Sequence, residues 1–219
     1  MLKQQLERFA ELLLQENARQ NLVRVDSAEE LFQKHFQDVL GFERQLSSLV
    51  KGNGVDMGSG GGIPGIVLAL LFPGSHFSLF ESELRKASFL ERAALLLGME
   101  NVTVHPQRME SVPTALQQAM DFATARALAP VRVCLEYAAP YLRVGGKLLL
   151  FKGPAWQQEL QQANRAMDLL HFQQMDMFFQ EVRWEETPFQ RNLLVLQKTA
   201  PTPPGFPRRA GVAARKPLS

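Results

Sequence analysis

The stretch Asp56-Met57-Gly58-Ser59-Gly60-Gly61-Gly62-Ile63-Pro64-Gly65 holds five glycines in ten residues. A short apolar run, Val55 to Met57, precedes it, and the apolar run Gly65 to Leu71 follows it with helical character. Glycine is needed where the backbone takes φ > 0 or where a ligand approaches with no Cβ in the way. A plain tight turn uses one or two such residues. Pro64 suits a first helical turn. The strand, glycine loop and helix together read as the cradle of a nucleotide-like cofactor at the start of a parallel α/β sheet.

Outward from this loop, apolar runs alternate with helical segments. Strands are expected at 76–80, 102–104, 122–126 and 147–151, with helices over 83–97, about 112–120 and from about Pro130. Gly98 is suited to a left-handed position past a helix end. The alternation is that of a doubly wound sheet. After an expected helix over 155–170, the β-rich runs 175–184 and 191–199 are too close for a helix between them, so they pair antiparallel as a terminal hairpin. Ahead of the sheet, Leu2, Leu6, Phe9 and Leu13 mark an amphipathic helix. Ser27 with Glu30 makes a capping box before a second apolar stripe. The organisation expected is a helical segment over 1–51, a sheet domain over 52–199 and a basic, proline-containing tail over 200–219.

Hydrophobic residues make up 46% of the 219 and charged residues 21%, ordinary for a protein with a real core. The charged residues spread through Met1 to Ala18 leave no signal-peptide core, and the apolar run Ile63 to Phe72 is too short to span a bilayer. A cytoplasmic location is therefore expected, with no membrane partner. The lone Cys134 has no pairing partner, and neither a disulfide nor a metal site is expected. With a net charge of +2, nucleic-acid binding requires a local patch. From Thr199 onward the chain carries Arg208, Arg209, Arg215 and Lys216 and no acid.

In an open parallel sheet, ligands bind at the carboxyl ends of the strands. Those ends carry Asp56 with Gly58 and Gly60, then Glu81, then Arg108-Met109-Glu110, then Arg126, then Lys152-Gly153. Glu81 stands where an acid accepts hydrogen bonds from ribose hydroxyls. Gly60, Gly62 and Gly65 satisfy the dinucleotide spacing G-x-G-x-x-G. Asp56 closing the strand instead makes D-x-G-x-G-x-G, a pattern typical of S-adenosyl-L-methionine sites, and the terminal hairpin suits that version of the fold. The methyl donor is the favoured cofactor; an NAD(P)-dependent oxidoreductase and a non-catalytic RNA-binding module are the alternatives.

The segments Asp56 to Gly65, Phe80-Glu81-Ser82 with Arg85-Lys86, Asn21-Leu22-Val23, His35 with Asp38, Arg108 with Glu110, Ala125-Arg126-Ala127, Lys152-Gly153, and Pro207-Arg208-Arg209-Ala210-Gly211 with Lys216-Pro217-Leu218 run through nearly the whole chain. Together they resemble the bacterial 16S ribosomal RNA guanine-N7 methyltransferase family, also called glucose-inhibited division protein B. Val39, Gly61-Gly62-Ile63 and Val212-Ala213 depart from its usual residues. The resemblance implies a class I methyltransferase fold, S-adenosyl-L-methionine as cofactor, and 16S rRNA or the small ribosomal subunit as partner, with a monomer expected. It places Gly58, Ile63, the region of Glu81 to Glu83, Met109, Glu110 and Arg126 at the cofactor, to which the loop pattern adds Asp56 and Gly60. Arg126 is the catalytic candidate, contacting the guanine O6, a phosphate or the donor's carboxylate. The resemblance sets His35 and Asp38 near the site and assigns Lys152, Arg208, Arg209, Arg215 and Lys216 to RNA phosphates.

Overall fold

The computed structural model describes residues 1–184 and 187–218. Four parallel strand pairings and two antiparallel ones build a seven-stranded sheet in the order β3-β2-β1-β4-β5-β7-β6. The strands are β1 (Asn53–Met57), β2 (His76–Phe80), β3 (Val102–His105), β4 (Met120–Arg126), β5 (Leu142–Lys152), β6 (Phe172–Trp184) and β7 (Thr187–Lys198). Strand order reverses between β1 and β4, which is where a doubly wound sheet opens a crevice. The terminal hairpin folds back, so β7 enters between β5 and β6.

The central strands are buried on both faces, which explains why they read as continuous apolar runs. One face packs the N-terminal helices α1 (Leu2–Gln20), α2 (Ala28–Leu31), α3 (Gln37–Leu40) and α4 (Glu43–Leu49), together with α5 (Gly65–Leu71) and α6 (Leu84–Leu96). Phe9, Leu13, Phe36 and Leu46 are buried in that layer. The opposite face packs α7 (Val131–Ala138), α8 (Trp156–Gln161) and α9 (Asn164–Leu170) around Tyr141, Leu148 and Leu150. The N-terminal segment is thus a layer of the domain, with Glu16 on α1 bonded to Arg92 on α6.

The capping box forms at Ser27, whose Oγ accepts from the Glu30 backbone N–H at 3.1 Å, while Glu30 Oε2 accepts from the Asp26 N–H at 2.7 Å. Between α2 and α3 the helix widens into a π-helical turn over Phe32–Phe36, a feature frequent at functional sites. Two helix expectations need correction. Over 112–120 only the 3-10 turn Thr114–Leu116 forms, because Pro113 interrupts the segment and no residue of the turn is buried. The helix over 155–170 is two helices, α8 and α9, broken before Asn164. The outer strands run longer than expected, with β5 beginning at Leu142 and β7 at Thr187.

The tail is fastened rather than free. At its root the buried Lys198 Nζ donates to the carbonyls of Ala139 and Leu142 at 2.6 and 2.8 Å, and to Thr202 Oγ1. Beyond Pro207 the short helix α10 (Val212–Arg215) sets Ala213 into the core on the α7 face. Among the described residues, no helix is long and apolar enough to cross a membrane.

Candidate functional site

The parallel register brings β1, β2, β3 and β4 to a common rim: Met57 lies beside Phe80, and Phe80 beside His105. The glycine loop leaves β1 at this rim. Its turn is held by Ser59 N–H donating to Phe80 O at 2.9 Å and Gly62 N–H to Ser59 O at 2.7 Å. Gly58 has φ +67°, and a Cβ there would stand 2.6 Å from Leu128 Cδ1. The left-handed backbone favours glycine at this position, and a Cβ would also displace the tip of the Leu128 side chain.

A cavity of about 280 Å³ opens above the loop. Gly58, Gly60, Glu81, Met109 and Glu110 all line it, together with Phe80, Lys86, Leu128 and Tyr137. Glu81 Oε2 accepts from the Gly60 N–H at 3.0 Å and Oε1 from the Glu83 N–H at 2.8 Å. Each oxygen retains a second lone pair, so the carboxylate frames the loop and can still accept from a diol. The Met109 backbone carbonyl accepts from Tyr141 Oη at 2.6 Å, which fixes that wall. An open glycine floor, one acid at the end of β2 and an apolar wall of Phe80, Met109 and Leu128 fit an adenosine-bearing cofactor.

Asp56 and Ile63 do not line this cavity. Asp56 is wholly buried beneath the loop, where Oδ1 accepts from Thr124 Oγ1 at 2.7 Å. Its Oδ2 is so close to Gly65 that a Cβ there would meet it at 2.6 Å. Burial raises its pKa to about 6, against the opposing hydrogen bond of Thr124. Asp56 thus ties β1 to β4 and seats the helix start. Ile63 belongs to the buried apolar layer that also holds Phe9 and Leu13.

A second, larger cleft of about 430 Å³ adjoins the first, and Ala127 and Leu128 line both. Ala127 has φ +54°, a left-handed conformation that costs a side-chain-bearing residue about 1 kcal/mol and aims the chain between the two spaces. The second cleft holds Arg126, Asp38, Lys152, Glu159, Arg191 and Asn192 on its polar side, with Phe42, Pro130 and Phe151 as apolar wall. Arg126 is therefore a residue of this cleft and not of the cofactor cavity. Its Nε donates to Asp38 Oδ2 at 2.9 Å, and its Nη2 contacts His35 Nδ1. Asp38, nearly buried, also accepts from Arg191 Nε through Oδ1. Burial, reinforced by the Arg126 charge, pushes the His35 pKa down to about 4. A neutral imidazole can accept from the guanidinium, which an imidazolium could not.

The cations assigned to RNA divide into two groups. Lys152 is an inward-facing residue of the cleft: its Nζ donates to Ala129 O at 2.7 Å and to Glu159 Oε2 at 2.8 Å. Arg208 is turned inward too. Its Nε and Nη2 grip the buried Glu136 on α7, with Nε–Oε1 at 2.8 Å. Each charge is compensated by a carboxylate of the fold, which weakens both as phosphate contacts, although Lys152 Nζ keeps one N–H without an acceptor. Arg209, Arg215 and Lys216 remain exposed. Nearby, the Gly211 N–H donates to Glu110 Oε1 at 2.7 Å, so the tail reaches the rim of the cofactor cavity.

The model of GidB, rRNA small subunit methyltransferase G, matches residues 2–190. This chain belongs to that family. A relative from Syntrophomonas wolfei subsp. wolfei, named ribosomal RNA small subunit methyltransferase G, is 40% identical across 96% of this chain and 97% of its own. One of the same name from Carboxydothermus hydrogenoformans is 37% identical across 98% and 91%. Solved structures with the same fold include M. jannaschii TYW2 in complex with AdoMet (TM-score 0.54, 12% identity, 74% of this chain and 77% of that one). An rRNA methylase from Streptococcus thermophilus also superposes, with TM-score 0.52 and 19% identity, over 72% and 94% of the chains. The fold is that of class I methyltransferases.

Sequence reasoning did not single out Leu128, Tyr137, Phe42, Glu159, Arg191 or Asn192. Leu128 follows β4 directly and was within reach of the strand-end rule. The others come from the residue preceding α4 and from α7, α8 and β7, and no spacing in the chain announces that they converge.

Proposed function

We propose that this protein transfers the methyl group of S-adenosyl-L-methionine to N7 of a guanine in 16S ribosomal RNA. The observation that carries the reading is the pair of adjoining clefts sharing Ala127 and Leu128, one glycine-floored and one walled by polar and aromatic side chains. Membership of the GidB family, whose relatives bear the name ribosomal RNA small subunit methyltransferase G, supports the choice of substrate.

When bound, the cofactor supplies an electrophilic methyl group on a sulfonium. Guanine N7 already has a lone pair, so no proton has to be removed before attack, and the work left to the protein is orientation and exclusion of water. Glu81, Met109 and Glu110 would hold the donor, and the Ala127–Leu128 turn would set the two reactants in line. The methylated base carries positive charge, and a guanidinium against N7 would oppose that. Arg126 avoids this by being drawn to Asp38 and His35, which hold it at the wall of the acceptor cleft. Arg209, Arg215 and Lys216 are left for phosphates, whose contacts position the RNA without reading its sequence.

Labelled methyl transfer to small-subunit rRNA that lacks this modification, followed by mapping of the modified nucleotide, tests the reading. Label on a single guanine at N7 is the expected result. Donor binding with no label on either naked RNA or small subunits would refute it.

A further inference from the structure

The acceptor cleft carries one carboxylate oxygen with nothing to do. Glu159, on α8, receives two hydrogen bonds, from the Val131 N–H at 3.0 Å and from Lys152 Nζ at 2.8 Å, and both fall on Oε2. Oε1 has no partner among the described residues, and the residue lines the cleft. The other side-chain acceptors there are engaged. Asp38 uses one oxygen for Arg126 and the other for Arg191, and Asn192 Oδ1 accepts from Gln190. Lys152 Nζ has two acceptors, Ala129 O and Glu159, and an ammonium has three N–H groups. The wall thus presents a free donor beside a free acceptor.

Among the purines, the bases that possess an N7, that pair matches guanine. On the Watson–Crick edge guanine offers O6 as acceptor and N1–H and N2–H₂ as donors, whereas adenine offers the reverse order, an N6 donor and an N1 acceptor. The position is suitable as well. The sheet runs β1, β4, β5, β7 across the rim, about 4.8 Å per strand, with the donor cavity over β1 and β2 and Lys152 at the end of β5. A base whose N7 faces the Ala127–Leu128 turn turns its N1 and N2 away from β1, toward β5 and α8. Resting on the proposed methyl transfer, we infer that Glu159 Oε1 accepts from N1–H and N2–H₂ of the target guanine while Lys152 donates to its O6. Glu159 and Lys152 are then the residues that select guanine. Their mutual bond fixes which oxygen faces the base, since Val131 and Lys152 hold Oε2 turned away.

The test is the ratio of transfer to guanine over inosine at the target nucleotide. Inosine keeps O6, N7 and N1–H and lacks only the N2 amino group. Losing one bond to a charged acceptor lowers the rate roughly ten- to hundredfold, which is the ratio expected of the native enzyme. Glu159→Gln must keep its oxygen toward Val131 and Lys152, which places the amide NH₂ against the base donors. Its ratio should collapse to within about threefold, with donor affinity retained. Should the variant turn over too slowly, the same ratio is read from equilibrium binding of the two RNAs at raised salt with S-adenosylhomocysteine present, and Glu159→Ala gives a second reading. A native ratio under about threefold, or a native-like ratio in both variants, would overturn the inference. A purely structural Lys152–Glu159 pair would depress both RNAs alike and leave the ratio unmoved. Failure of the native protein to modify any RNA guanine is a separate outcome, because it removes the methyl-transfer reading itself.

Discussion

Replacing Arg208 by alanine should destabilise the whole protein rather than merely weaken its grip on RNA. Glu136 is 1% exposed, and its carboxylate takes three hydrogen bonds from Arg208, two from the guanidinium and one from the backbone N–H at 3.2 Å. Arg208→Ala removes the countercharge and leaves a buried carboxylate with a single weak donor. Breaking such a pair from one side costs about 3–5 kcal/mol. The tail can partly peel away and let water reach Glu136, so the lower end, about 3 kcal/mol, is the expected loss. With a urea slope near 2 kcal/mol per molar, that moves the unfolding midpoint down by about 1.5 M. Urea melts followed by circular dichroism read this directly. The double variant Arg208→Met with Glu136→Leu should recover most of the loss, since a well-packed apolar pair replaces an ionic one at little net change. A midpoint shift below about 0.3 M for Arg208→Ala, together with a lower salt dependence of RNA binding, would refute the argument and return Arg208 to the phosphate contacts.

Gly58→Ala should weaken donor binding at least tenfold in calorimetry, because the new methyl group meets Leu128 at 2.6 Å on a left-handed backbone. Arg209→Ala should weaken RNA binding and lower the slope of log affinity against log salt by about 0.9, with donor affinity unchanged. Equal loss of donor affinity would contradict the division of labour between tail and loop. Asp56 sets a pH dependence: burial lifts its folded pKa to about 6 from the ordinary 3.8, so the folded state holds the proton more tightly. Its contribution is fully present below about pH 4 and is lost as pH rises through about 6, a decline on the order of 3 kcal/mol. Asp56→Asn should flatten the stability slope over that window in urea melts at about pH 4 and about pH 7. An unchanged slope would place the titration elsewhere.

The glycine loop, the alternation of strands and helices and the acids at the strand ends were legible in the chain because they rest on local backbone demands and on period. The left-handed turn at Gly58 favours glycine, and Glu81 and Arg126 stand at strand ends by position alone. The failures are as local in cause. The segment 112–120 spaces Val112, Leu116 and Met120 at helical intervals, yet Pro113 interrupts it and Met120 enters β4, so only a turn forms between them. Asp56 carries the sequence pattern of a cofactor site, yet its side chain lies under the loop, a direction that only the seating of Gly65 and Thr124 determines.

Charge was the least legible property. In the chain, Arg208, Arg209, Arg215 and Lys216 are alike, four cations in a stretch without acid. Folding separates them: Glu136, more than seventy positions earlier, draws Arg208 inward, while Arg209, Arg215 and Lys216 stay in solvent. Lys152 is diverted by Glu159 in the same way. By itself the sequence determined the family, the parallel sheet and the rim on which the chemistry sits, since these follow from spacing along one chain. Only the tertiary structure decided which charges face a ligand and which face each other. An ion pair between distant positions leaves no periodicity to read, and the energy of a buried charge depends on the partner the fold brings to it.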